Sequence, residues 1–213
     1  MHSRAILLAA ALATLPACTY SSSHTVRTLS REVPTAGATA IRLNFPVGEV
    51  AILAADAAQV GLEVQILCNH GSRCADEAQG VDLQVEGQDP LRVSLTGWPH
   101  SGNRGMKIKA TIRVPRTLPL TADLGVGRMT VDGVGAGLRA ELGVGDVEAT
   151  LPEASVASVR MASGVGFASL RTSEGEQAGS RGLLSRSINW QKGTGKAAVR
   201  IDCGVGHAKV VLR

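Results

Sequence analysis

Apolar side chains alternate with polar ones after each of a set of glycine pairs along this chain. Val50 and Ile52 follow Gly48; Met129 and Val131 follow Gly127; Val147, Ala149 and Leu151 follow Gly145. Ala168 and Leu170 follow Gly166, and Ala208, Val210 and Leu212 follow Gly206. The intervening positions hold Arg128, Thr130, Asp146, Glu148, Thr150, Ser169, His207 and Lys209, with Ala51, Leu53 and Phe167 as apolar exceptions. A period of two with one apolar face predicts half-buried strands. The run Leu138 to Leu142 alternates in the same way and predicts a further strand before its glycines.

The glycines themselves repeat. Gly-Val-Gly occurs at Gly125–Gly127, Gly143–Gly145, Gly164–Gly166 and Gly204–Gly206, and a degenerate copy reads Pro46-Val47-Gly48. The first steps are 18 and 21 residues and the last is 40, as if one marker were missing. A period near 20 residues predicts a solenoid of stacked coils, each folded at a glycine corner. Gly48, Gly125, Gly127, Gly143, Gly145, Gly164, Gly166, Gly204 and Gly206 are the expected corner residues, since glycine turns without a Cβ clash and lets coils approach closely. Just before the markers, Leu124, Leu142, Ser163 and Cys203 form an inward column, and Asp123, Glu141, Ala162 and Asp202 an outward one. Cys203 is therefore expected to be a buried thiol acting as a small apolar side chain, with a redox or metal role as the alternative.

Further strand-like runs cover 40–44, 49–54, 60–67, 81–86, 91–96 and 107–114, and residues 74–79 allow one helical turn. The expected fold class is all-β: a single β-solenoid, a stacked β-helix-like domain over 39–213, after an N-terminal signal peptide.

The amino end has its own pattern. His2 and Arg4 precede an apolar run over 5–15, too short for a membrane-spanning helix of about 20 residues. Leu15-Pro16-Ala17-Cys18 closes it with a small residue before cysteine, as secretory signals end. That tetrad resembles the lipobox of bacterial lipoproteins. The resemblance implies removal of residues 1–17, acylation of Cys18, and a lipid bilayer as the partner of the acylated cysteine. The alternative is ordinary cleavage after Ala17 with Cys18 left as a free thiol. Thr19, where Asp would signal inner-membrane retention, implies by the same resemblance an outer-membrane lipoprotein facing the periplasm. Residues 18–38, rich in Ser, Thr and Ala, are expected to form the lipidated cysteine and a flexible tether.

Composition narrows the rest. Aromatics make up 2% of the 213 residues while glycine numbers 25, above the usual ~7%, so the core must be thin and aliphatic. The net charge of +4 is spread among interspersed signs, without the basic stripe and aromatics that nucleic-acid binders use. Cys68 and Cys74, six residues apart in an exported chain, are expected to form a disulfide.

The strand into Pro46-Val47-Gly48-Glu49-Val50, the stretch ending Ile112-Arg113-Val114-Pro115 and Leu118-Pro119-Leu120, the Gly-Val-Gly ladder, and Trp190 with Gly193-Thr194-Gly195 together resemble the bacterial "putative adhesin" β-solenoid family, related to the toast-rack envelope proteins. The resemblance covers roughly 38–213. It implies stacked β architecture, an envelope location and no catalytic residues.

Searching for chemistry yields little. There is no Gly-x-Ser-x-Gly elbow, no His-Glu-x-x-His helix and no phosphate loop; the Gly-Val-Gly markers lack the helix a dinucleotide site needs. The reading is a non-enzyme with no cofactor and no metal. His70 lies between the paired cysteines without zinc-ligand spacing, and His24, His100 and His207 are scattered. A calcium ion shared within the column Asp123, Glu141 and Asp202 is the one metal hypothesis, and Trp98 and Trp190 are the candidates for stacking on a saccharide. The expected function is a lipid-anchored envelope protein presenting a β-solenoid surface for adhesion, scaffolding or sensing, to an envelope protein or saccharide partner. The alternatives are a carbohydrate-active β-helix enzyme and a periplasmic partner of a signalling system.

Overall fold

A computed structural model of the chain describes residues 23–69, 72–99, 105–178 and 186–213. Cys18, the expected signal sequence, His70 and His100 lie outside the described residues. Twelve strands form one open sheet: β1 (His24–Pro34), β2 (Ile41–Ala55), β3 (Gln59–Cys68), β4 (Asp82–Glu86), β5 (Leu91–Thr96), β6 (Met106–Pro115), β7 (Leu120–Asp132), β8 (Leu138–Leu151), β9 (Val156–Thr172), β10 (Gly175–Ala178), β11 (Arg186–Trp190) and β12 (Ala197–Leu212). No helix among the described residues is long and apolar enough to cross a membrane.

The centre of the sheet is a parallel, in-register stack in the order β2-β7-β8-β12-β9. Each strand runs straight through its glycine marker, so a marker is a bend within one strand rather than a joint between two. At the bend the burial alternation slips: Leu124 and Met129 face inward, while Gly125, Val126, Gly127 and Arg128 all lie on the outside. Consecutive outward residues mean that the chain turns around its core there. Chain length agrees. Five residues link β7 to its in-register neighbour β8, a reach of about 20 Å, whereas a straight strand of this length would extend about 40 Å.

Both ends of the stack fork at the corner. The first half of β2 pairs with β5, which pairs with β4; the second half pairs with β6, which continues antiparallel into β3 and β1. At the far end, the first half of β9 pairs with β11 and the second half with β10. Inside, the columns fill with aliphatics, from Phe45 through Leu124, Leu142 and Cys203 to Ser163 across the stack. Ser163 and Thr172 are the buried polar residues among those described, and the Ser163 hydroxyl donates to the carbonyl of Gly206 at 3.0 Å.

Three expectations are corrected. First, residues 24–34 of the expected tether are strand β1. Their composition is polar, but the whole length pairs with β3, Leu29 is buried, and Arg27 donates to the carbonyls of Ala78, Gln79 and Val81 at 2.6–3.2 Å. Secondly, the single helical turn is a two-turn helix, α1 (Ser72–Gln79), which buries Cys74 and Ala78 one turn apart. Thirdly, the described residues of the 40-residue step hold no further parallel strand. The chain after β9 folds back on that strand's outer edge as β10 and β11, and β12 enters between β8 and β9.

The second glycine of each corner is dictated twice over. Gly48, Gly127, Gly145, Gly166 and Gly206 have φ between +133° and +141°. A Cβ on Gly145 would stand 1.8 Å from the carbonyl oxygen of Gly127. Gly145→Ala should therefore cost upwards of about 4 kcal/mol by strain and overpacking. Gly37→Ala, at φ +86° with open space around it, should cost only the left-handed backbone penalty of about 1–2 kcal/mol. Urea denaturation of the two variants measures the contrast.

Candidate functional site

The outer surface of the stack is organised by its corners. Val47, Val126, Val144, Val205 and Val165 stand one above another on β2, β7, β8, β12 and β9. Strand spacing makes this a ridge about 19 Å long. The middle three are 46–49% exposed, because a residue on the outside of a bend has no neighbour to cover it. Bare glycine flanks the ridge on both sides, except on β2, where Pro46 precedes Val47. Sequence reading missed it by attending to the glycines; the signal was the constant valine between them.

On the flank before the corner lies the acidic column. Asn44, Asp123, Glu141, Asp202 and Ala162 line a trough of about 550 Å³ with corner glycines in its floor. The carboxylates are tied sideways: Arg139 to Glu141, and Arg200 Nε to Asp202 Oδ2 at 2.6 Å. Desolvation, and then the neighbouring Glu141, push the Asp123 carboxyl above its ordinary range, with Arg42 and Arg139 opposing. The Arg139 guanidinium is held still more firmly charged, first by its hydrogen bond to Glu141. Among the described residues no three histidine, cysteine or acidic side chains are grouped to hold a metal ion. The column is a ladder of carboxylates turned toward arginines.

On the flank after the corner a different row crosses the sheet: Lys109, Glu49, Arg128, Asp146, His207 and Phe167, on β6, β2, β7, β8, β12 and β9. From Arg128 onward its members touch in sequence. Arg128 lies 3.7 Å from Asp146, the Nδ1 of His207 is 3.0 Å from Asp146, and His207 packs at 5.3 Å from the Phe167 ring, over which Arg186 sits at 4.1 Å.

The remaining candidates are structural. Cys68 and Cys74 are disulfide-bonded and tie α1 to the end of β3. Cys203 is a buried free thiol, its Sγ 3.6 Å from the carbonyl of Gly145; burial, and then Asp146, raise its pKa. Trp190 is buried at the β9 end, which leaves it no free face for a sugar, and Trp98 packs half-buried against the core.

No protein-family model matches the sequence, and no curated protein is significantly similar to it. Among solved structures, the chain is similar to a putative cell adhesion protein from Clostridium sporogenes, at 19% identity and a TM-score of 0.56, over 88% of this chain and 99% of that one. It also overlaps a putative adhesin from Parabacteroides distasonis (13% identity, TM-score 0.26, 59% and 60% of the two chains) and another from Bacteroides fragilis (14%, 0.28, 86% and 97%). The Clostridium likeness is one of fold; the other two overlap too loosely to bear on it.

Two outcomes are expected. Asp123 has a raised folded-state pKa, so its protonated form favours the folded state and its ionisation weakens that state as pH rises through the folded value. Asp123→Asn should thus raise the melting temperature at pH 7 by on the order of 1–2 °C, a gain that fades below the ordinary carboxyl range. Parallel melting curves at pH 3 and pH 7 test this. Cys203→Ser, which copies the residue at Ser163 in the same column, should keep stability within about 1 kcal/mol in denaturant titration, and the native thiol should resist a thiol-reactive dye.

Proposed function

We propose that this chain is a non-enzymatic protein of the bacterial cell envelope, held to a bilayer by acyl chains on Cys18, whose corner surface serves adhesion, scaffolding or sensing. The observation that carries the reading is the in-register ridge of valines with its flanking rows, continuous across five strands. A surface that repeats from strand to strand suits contact with an extended or repeated partner, whereas catalysis needs unlike groups converging on one point. The short link between β7 and β8 supports reading the bent strands as coils of a solenoid. The Cys68–Cys74 bond agrees with an oxidising compartment outside the cytoplasm. The fold likeness to a protein named for cell adhesion points the same way.

In this reading residues 1–17 are removed, Cys18 joins the outer membrane on its periplasmic side, and β1 begins six residues later. That link reaches about 20 Å at most, so the domain sits close to the bilayer. Each buried methylene of the anchor contributes about 0.8 kcal/mol, and two or more chains make attachment stable. Growth of expressing cells with an alkyne-tagged fatty acid should label the wild-type chain in the membrane fraction and leave Cys18→Ala unlabelled and released. An unlabelled wild-type chain, or equal labelling of both, overturns the anchor.

A further inference from the structure

Six large apolar side chains are exposed among the described residues, namely Leu53, Val126, Val144, Val165, Phe167 and Val205. All lie on the corner ridge or on the flank after it. Both flanks carry basic and acidic side chains, but the flank before the corner has no exposed large apolar one among the described residues. One flank of the stack is therefore built differently from the other.

We infer that this flank, with its ridge, is the contact surface for a second copy of the same chain. The argument comes from the order of charges. Two identical faces meet about a two-fold axis lying in their common plane. An axis parallel to the strands, between β7 and β8, sets every row against its own reversed image. Arg128 then faces Asp146 of the second copy, Glu49 faces its His207, and Lys109 meets its Phe167, whose ring is already covered on one face by that copy's own Arg186. On the ridge, Val126 meets Val144 of the second copy and Val47 meets its Val205; further along the flank, Leu53 meets its Val211. Charges of opposite sign at Arg128 and Asp146 and apolar contacts along the ridge coincide in one register.

The same alternation disfavours other occupants. A polyanion or an anionic membrane would meet Glu49 and Asp146 in the row, and a polycation would meet Lys109 and Arg128. Six strands by six residues give a footprint of about 29 Å by 20 Å, hence on the order of 1,000 Å² buried in total, the lower limit for a specific interface. The pairing is weak and reversible in solution, and confinement of anchored chains to one bilayer strengthens it by raising their effective concentration. This inference deepens the surface-presenting reading above by naming the partner, and it does not require the anchor.

The test uses full-length chains carrying two different tags, purified together in mild detergent. Wild-type copies should co-capture one another, less so at high salt. Arg128→Glu alone and Asp146→Arg alone each place like charges in contact twice across the axis, and should reduce self-capture by about tenfold or more. Mixing Arg128→Glu chains with Asp146→Arg chains should restore capture, because each then faces the opposite sign. Arg42→Glu, on the other flank, should change nothing, and thermal melts confirm that each variant is folded. Absent wild-type capture, single variants that pair like wild type, or a mixture no better than its components would overturn the inference. Fatty-acid labelling of the same preparations reports on Cys18 separately, so labelled chains that do not pair refute the dimer and leave the envelope reading standing.

Discussion

The closest contact in this molecule is between backbone and backbone. At each corner the carbonyl oxygen of one strand occupies the space where the next strand's residue would carry a Cβ, 1.8 Å away at Gly127 against Gly145 and again at Gly145 against Gly206. Only glycine admits that approach, and only glycine takes the accompanying φ near +135° without strain. Because the tolerance is so small, the strands can stack in one register alone. The buried columns, the valine ridge and both charged rows follow from that register.

The register also explains how so lean a core holds together. With few aromatics, volume is matched by position: Phe45 begins a column that shrinks to Ser163, while alanines at 122 and 140 lie between Leu43 and Ile201 in the next. Where the shrinking column ends in Cys203 and Ser163, these reach the carbonyls of Gly145 and Gly206. Outside, ion pairs link neighbours along and across strands, as between Lys209 and Glu148. Such exposed pairs contribute little each; their main effect is to let like-charged columns stand beside one another.

Much of this was legible in the residues. The period-two pattern after each glycine identified the buried faces, because one residue in two must contact the core whatever the partner strand. The columns at 124, 142, 163 and 203 could be aligned for the same reason, and the pairing of Cys68 with Cys74 followed from spacing and export. The order of strands was not legible: a coil ending in Gly204-Val205-Gly206 fits equally well beside any other, and only the fold-back of β10 and β11 onto β9 decides where β12 enters. Strand β1 was hidden because its partner β3 supplies the ladder, while its own side chains look like those of a linker. The corner valines were visible letter by letter, yet their exposure depends on a bend that periodicity does not reveal.

The position of β12 has a consequence for how the molecule is made. Strand β12 lies in the interior of the stack, hydrogen-bonded on both sides, and is the strand through which β8 and β9 are joined. Synthesis from the amino end can pair β1 to β8, and then β9 to β11, before β12 fills the slot between them. Strand β12 is the keystone of the arch. Without it the described strands fall into two groups, the eight of β1–β8 and the three of β9–β11, each presenting a raw edge where β12 had paired in parallel.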